Sequence, residues 1–154
     1  QEIYDTKVWP EKPLFYTCCP AKSEENLAPK GKENLFILMP ITAGLEDTEE
    51  LREKYFKIII KRLELYCKEN IITNIEYKKS YCIKNFEEDY FSYKGNAYGL
   101  ANTLLQTANL KPSIKNKKVN NLYYCGQLTV PGPGVPPSII SGKLIAEQII
   151  KINK

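Results

Sequence analysis

The chain has no histidine. Imidazole general-base chemistry, Ser-His or Cys-His dyads and histidine metal ligation are therefore excluded from its 154 residues. Its five cysteines, Cys18, Cys19, Cys67, Cys82 and Cys125, include no Cys-x-x-Cys pair, so no metal site is expected and buried thiols in a reducing compartment are. Long apolar runs are absent too. Leu35 to Met39 is among the longest and is far too short to span a bilayer, and the opening residues predict no signal or transit peptide. Glycine is scarce at eight residues, and none stand as Gly-x-Gly-x-x-Gly, the turn that holds a dinucleotide pyrophosphate. Neither sign of charge dominates: 22 basic against 18 acidic residues leave +4, spread along the chain apart from Lys115 to Lys118. Nucleic acid is not an expected partner.

What is present fits one ordinary folded domain, with 43% hydrophobic and 26% charged residues. Leu14 to Cys18 and Leu35 to Met39 predict an antiparallel strand pair joined by a long excursion. The second strand is continuously apolar and is expected to be buried on both faces. Residues 48 to 69 predict a helix, with Asp47 as its cap and Glu50 completing a capping box. Leu51, Tyr55, Phe56, Ile59, Ile60, Leu63, Tyr66 and Cys67 share one face, while Arg52, Lys54, Lys57, Lys61, Arg62 and Glu64 form the solvated side. A core role suits this helix better than a membrane-lying one. Ile71 to Cys82 alternates loosely and predicts a strand or strand pair. Phe86, Tyr90, Phe91 and Tyr93 could line an apolar pocket or pack beneath a loop. Gly99 precedes a short helix expected over Leu100 to Gln106, and Lys111 to Asn121 forms a polar connector. No internal repeat or low-complexity tract interrupts this order.

The stretch Asn121 to Ile150 organises the rest. Leu122-Tyr123-Tyr124-Cys125 has strand length, Gly126 ends it, and Pro131-Gly132-Pro133-Gly134 forms a loop. After Pro136-Pro137 a helical pattern carries Ile139, Ile140, Leu144, Ile145, Ile149 and Ile150, and proline is suited to a first helical turn. A strand, a glycine-rich turn and a helix start together suit an anionic or strongly polar ligand, since helix-start N–H groups attract negative charge. The same pattern also serves as a plain tight corner. The fold class read from all this is α+β.

Asn121, Leu122, Tyr123, Gly126, Thr129, Pro131, Gly132, Gly134, Val135, Pro136 and Gly142 match the pattern of an apolar strand ending in Gly, a Thr-x-Pro-Gly-x-Gly-apolar-Pro loop and a helix with a small residue in its first turns. This resembles the carboxy-terminal, flavin-contacting segment of the bacterial-type phytoene desaturases. The resemblance extends upstream through Gly99-Leu100, Thr103-Leu104, Gln106-Thr107-Ala108 and Lys111-Pro112, and more faintly from Pro13 to Pro40. Gln127 and Leu128 depart from the small residues common in that family, and Val130 replaces a frequent histidine, so the backbone carries the match better than the side chains do.

The resemblance implies the carboxy-terminal fragment of a two-domain FAD-binding oxidoreductase. Residues 1–110 would be the end of its substrate domain, and 111–154 the strand–loop–helix unit of a Rossmann-like FAD domain. FAD is the implied cofactor, with its pyrophosphate and adenine sites on a part not in this chain. Gly126, Gln127, Thr129, Pro131, Gly132, Gly134, Val135 and Pro136 would contact it, and Tyr98, Leu100 and Thr103 would border the substrate. The implied reaction removes hydrogens from phytoene or a related polyene, in a cytoplasmic enzyme that could lie peripherally on the inner membrane face. No catalytic acid or base is assigned, and the piece alone is expected to be inactive. Gln1 is an unusual first residue, in keeping with a cut-out piece. The alternatives are a flavoenzyme acting on retinol or another polyene, and a self-standing α+β interaction domain without cofactor.

Overall fold

The computed structural model describes residues 2–100, 103–107 and 110–152. Gln1, Ala108 of the resemblance, and positions 101 and 102 of the expected short helix lie outside them. The described residues form three α-helices and one two-stranded antiparallel sheet, which agrees with an α+β class. The chain divides into two compact units, Gln1–Gly95 and Asn96–Lys154.

In the first unit, β1 (Tyr16–Cys18) pairs with β2 (Phe36–Leu38), Tyr16 opposite Leu38 and Cys18 opposite Phe36. β2 is not buried on both faces as expected: Phe36 is 52% exposed, because a sheet of two strands covers only the side that meets α1. α1 (Glu49–Cys67) supplies that cover. Ile59, Ile60 and Leu63 form the core, with Phe15, Ile37, Met39, Phe56, Ile71 and Ile75 packed around them. Each buried aliphatic side chain contributes about 1.5–3 kcal/mol over its exposed state. Trp9 stacks on Tyr55 at 4.7 Å, and the Tyr55 hydroxyl donates to the Pro10 carbonyl at 2.9 Å, which ties the amino-terminal segment to the helix. Tyr66 and Cys67, assigned to the buried face, are exposed in the last turn.

The α1 cap is Thr48 and not Asp47: the Thr48 hydroxyl accepts the Leu51 N–H at 3.2 Å. Asp47 does something else. Its carboxylate receives Arg52 Nε and Nη2, both at 2.6 Å, and the Lys84 N–H at 2.8 Å. Arg52 therefore leaves the solvated side and is largely covered in a bidentate pair, its side chain 12% exposed, and its hydrogen bonds hold the Asp47 carboxyl below the usual carboxylate range. The same pair ties the start of α1 to the start of α2 (Ile83–Tyr90).

That second helix lies where the sequence predicted only an aromatic cluster. Phe86 packs edge-on to Tyr81 and near Tyr90, as in a small satellite cluster, while Phe91 and Tyr93 stay exposed. The strand or strand pair expected over Ile71 to Cys82 does not form. Glu64 accepts the N–H groups of Ile71 and Ile72 at 2.7 and 2.8 Å, which fixes a short 3-10 turn at Ile72–Asn74 instead. Local side-chain acceptors have taken the donors that a ladder would need. Burial pushes the Cys82 thiol up, but Cys67 and Cys125 are exposed, so the expectation of buried thiols fails for those two.

In the second unit, the long helix is α3 (Val135–Ile152). The expected strand at 122–125 is reduced to a single bridge between Lys115 and Tyr123. Leu122 and Tyr124 are 39% and 43% exposed, because a buried strand requires flanking strands and the described residues of this unit supply none. Among the described residues of the short helix expected over Leu100 to Gln106, one 3-10 turn forms, Leu104–Gln106.

Candidate functional site

The residues between Gly126 and α3 are shaped by backbone hydrogen bonds. The Gly126 N–H donates to Ser141 Oγ at 2.7 Å, and Ser141 Oγ donates to the Ser138 carbonyl at 2.7 Å. Ser141 is fully buried. It therefore pins the end of the 122–125 segment to the first turns of α3. Thr129, 2% exposed, turns back on the same glycine: its N–H and Oγ1 both donate to the Gly126 carbonyl, at 3.2 and 3.1 Å. Both polar groups of the Gly126 peptide are thus engaged internally. The loop continues through a cis Val130–Pro131 bond to Gly132 and Gly134, at φ +135° and +114°, backbone that favours glycine. A Cβ on Gly134 would also stand 3.4 Å from Pro137 Cδ.

The start of α3 has few donors. Pro136 and Pro137 have no N–H, and the Ser138 N–H donates to the Gly134 carbonyl at 3.0 Å. The N–H groups of Gly134 and Val135 are what this end presents, on residues that are both exposed. Two adjacent donors at the positive end of an 18-residue helix can receive an anionic or strongly polar group, and the residues present are compatible with the ring end of the implied flavin.

Gly99 brings a second segment to the loop. A Cβ there would lie 3.0 Å from Leu128 Cδ2 and 3.3 Å from the Gln127 carbonyl oxygen. Asn96 holds the turn by accepting the Gly99 N–H and donating to its carbonyl. Tyr98, 62% exposed, and Leu100, half-buried, flank that contact. Gln127 and Leu128 are thus the loop residues that meet the 98–100 segment. Pro131 and Pro136 are exposed, and Thr103 is exposed at the start of the 3-10 turn without a capping bond.

Three contributors were missed from sequence. Ser141 could have been suspected as a serine on the same α3 face as Ile145, where a buried hydroxyl needs partners. Asn96 carried no signal beyond its proximity to Gly99. Lys111, part of the Lys-Pro match, is 8% exposed and lies against Gly132. With Lys117, Pro112, Ser113, Ile114 and Val130 it lines an open cleft of about 520 Å³.

No family model matches the chain. A carotenoid 3,4-desaturase of Haloarcula japonica is 39% identical over 150 residues, covering 97% of this chain and 30% of the relative. A 4,4'-diapophytoene desaturase (4,4'-diaponeurosporene-forming) of Staphylococcus aureus strain Newman is 30% identical over 160 residues, covering 98% of this chain and 31% of the relative. The chain is homologous to a segment of the carotenoid desaturases. It spans under a third of the length of these desaturase relatives. Among the described residues, no helix is long and apolar enough to cross a membrane.

Proposed function

We propose that the chain is the carboxy-terminal portion of an FAD-dependent desaturase that extends the conjugation of phytoene or a related carotenoid precursor. The observation that carries this reading is 39% identity to a carotenoid 3,4-desaturase along 97% of the chain. The loop geometry supports it, because glycines at positive φ lead into a helix start whose donors are confined to Gly134 and Val135. The domain division carried over from the resemblance, with 1–110 in a substrate domain and 111–154 in a two-domain FAD fold, belongs to the same proposal.

The flavin, when bound, supplies the acceptor for the hydrogens removed from the polyene. Gly134 and Val135 orient its ring edge through their N–H groups, and the α3 dipole favours negative charge there. Gly126, Thr129, Pro131, Gly132 and Pro136 hold the loop path that presents those donors. Gln127 abuts the 98–100 segment, and Tyr98, Leu100 and Thr103 with Leu128 border the polyene and exclude water from it. When one hydrogen leaves the polyene as hydride the other leaves as a proton, and no residue of this chain is assigned as its acceptor. The reaction belongs to the cytoplasmic side, at the membrane surface in which such a polyene dissolves.

The test is to express the complete open reading frame that contains this sequence, purify the product, and record its mass, visible spectrum and activity on phytoene. We expect a flavin spectrum, a mass near that of the desaturase relatives and new conjugated products, with no activity from the 154 residues alone. A colourless protein of this mass would replace the reading with a cofactor-free interaction domain. A flavoprotein active on retinol and inert toward phytoene would move the substrate while keeping the cofactor.

A further inference from the structure

Leu128 is 51% exposed in a turn whose two ends are held. Before it, the Gly126 N–H is bound by Ser141 and the Gly126 carbonyl by Thr129. After it, Thr129 is itself 2% exposed. The Leu128 side chain is seated as well. A Cβ on Gly99 would come within 3.0 Å of Leu128 Cδ2, so the leucine occupies space that Gly99 leaves by having no side chain. Gly99 does not shift readily, because Asn96 accepts its N–H and donates to its carbonyl, and its φ of +83° favours glycine. Leu128 is thus an apolar side chain fixed at its backbone and at its tip, with half of its surface open.

We infer that Leu128 is a specificity-determining residue, whose bulk limits how stiff a polyene the site admits, and that Gly99 is the positioning residue that seats it. The inference rests on the proposed desaturase reading, in which Leu128 borders the polyene. Each removal of two hydrogens turns a rotating C–C bond into a double bond, so the product is flatter and stiffer than its precursor. A flexible precursor bends round a fixed side chain, and a stiff planar one does not. Leu128 therefore favours the precursor over its own product. It does so without support from the flavin, since Gly126 and Thr129 keep the loop path whatever stands at 128.

The experiment uses the complete flavin-loaded enzyme and two substrates, phytoene and its isolated first desaturation product. Flavin content is read from the visible spectrum, and kcat and KM are measured separately for each substrate. We expect Leu128→Ala to keep its flavin and to raise kcat/KM for the product relative to phytoene about tenfold, the low end of what one methylene is worth in an apolar pocket. Leu128→Met, which conserves volume but not shape, should change the ratio by less. Gly99→Ala should change the ratio when residue 128 is Leu and not when it is Ala. Backbone strain at 99 is common to both variants, so the difference isolates the contact. A flavin-loaded Leu128→Ala with the wild-type ratio would overturn the inference; a lower melting temperature besides would assign Leu128 to packing against the rest of the enzyme. Should only Leu128→Met hold flavin, an unchanged ratio in it overturns the inference and a changed one supports it. Loss of flavin from both variants overturns it too, by making Leu128 a support of the cofactor loop. A wild-type enzyme that carries no flavin, or turns over no phytoene, removes the reading on which this role rests.

Discussion

Gly134 combines a φ of +114° with a Pro137 ring 3.4 Å from the position of any added Cβ. A branched side chain there meets both a backbone conformation that L-residues disfavour, by about 1–2 kcal/mol, and a rigid neighbour. Gly134→Val in the complete enzyme is expected to lower flavin occupancy by displacing the two donors. Flavin content and turnover equal to the wild type would remove Gly134 from the site. A different residue governs the first unit. Asp47 has its carboxyl held low chiefly by its hydrogen bonds to Arg52, so its folded pKa lies below the unfolded value of about 3.9. Its contribution to stability is therefore complete above that value and is lost as pH falls through the folded one. Asp47→Ala strands a largely covered guanidinium and is expected to cost about 3–5 kcal/mol. Urea titrations of the wild type and of Asp47→Ala should converge as pH drops below about 4; a constant difference across that range would contradict the pairing argument. Asp47 also marks a limit of sequence reading. Asp47 and Thr48 are both acceptable caps by residue type, and only the chain path around Lys84 decides which one turns outward to a distant partner.

Whether an element was legible depended on whether its partners lay inside the chain. α1 was readable because its apolar period is packed by Ile37 of β2 and by Phe15 and Met39 beside the strand pair, all in the same unit. The strand pairing was readable for the same reason. The burial of β2 was not, since the number of strands beside it cannot be read from its own residues. Ile71 to Cys82 failed as a strand because Glu64, one helical turn from the end of α1, captures two of its N–H groups. The 122–125 segment has strand composition without strand neighbours, and what secures it is one hydroxyl on α3. Ser141→Ala removes the acceptor for the Gly126 N–H while Ser141 is fully buried. An unsatisfied buried donor costs about 1–3 kcal/mol. In the complete enzyme we expect a loss of that size, read as a drop in melting temperature, together with weaker flavin retention. A variant as stable as the wild type would mean that the Gly126 N–H finds another partner or water.

At the scale of the whole molecule, the two units differ in what they bury. Gln1–Gly95 has Tyr55, Ile59, Ile60, Leu63 and Ile83 in its interior. Among the described residues of Asn96–Lys154, Ile145 is the one buried hydrophobic side chain, and the other buried groups named with it, Lys111, Thr129 and Ser141, are polar. The α3 isoleucines at 139, 140, 149 and 150 are exposed, at 69%, 47%, 37% and 56%. Helix stability in proteins comes mainly from packing an apolar face, so a helix packed chiefly through Ile145 and Ser141 depends heavily on its own hydrogen bonds. The candidate site was legible as a pattern of glycines and prolines because backbone constraints are local, whereas the cover for α3 was not, because it depends on residues elsewhere. In the desaturase relatives the aligned segment is under a third of the length, and on the proposed reading the rest of such a chain would provide that cover. Hydrogen exchange separates the two situations. In the 154 residues alone, α1 amides should be protected to near the global stability of the first unit, while α3 amides exchange close to the rate of an isolated helix. In the complete flavin-loaded enzyme the α3 amides should slow by at least about a hundredfold, equivalent to roughly 2.7 kcal/mol of added local stability. Equal exchange of α3 in the short chain and the complete enzyme would mean that its isoleucines remain in water there too, and that the loop it carries is positioned by Ser141 and Thr129 alone.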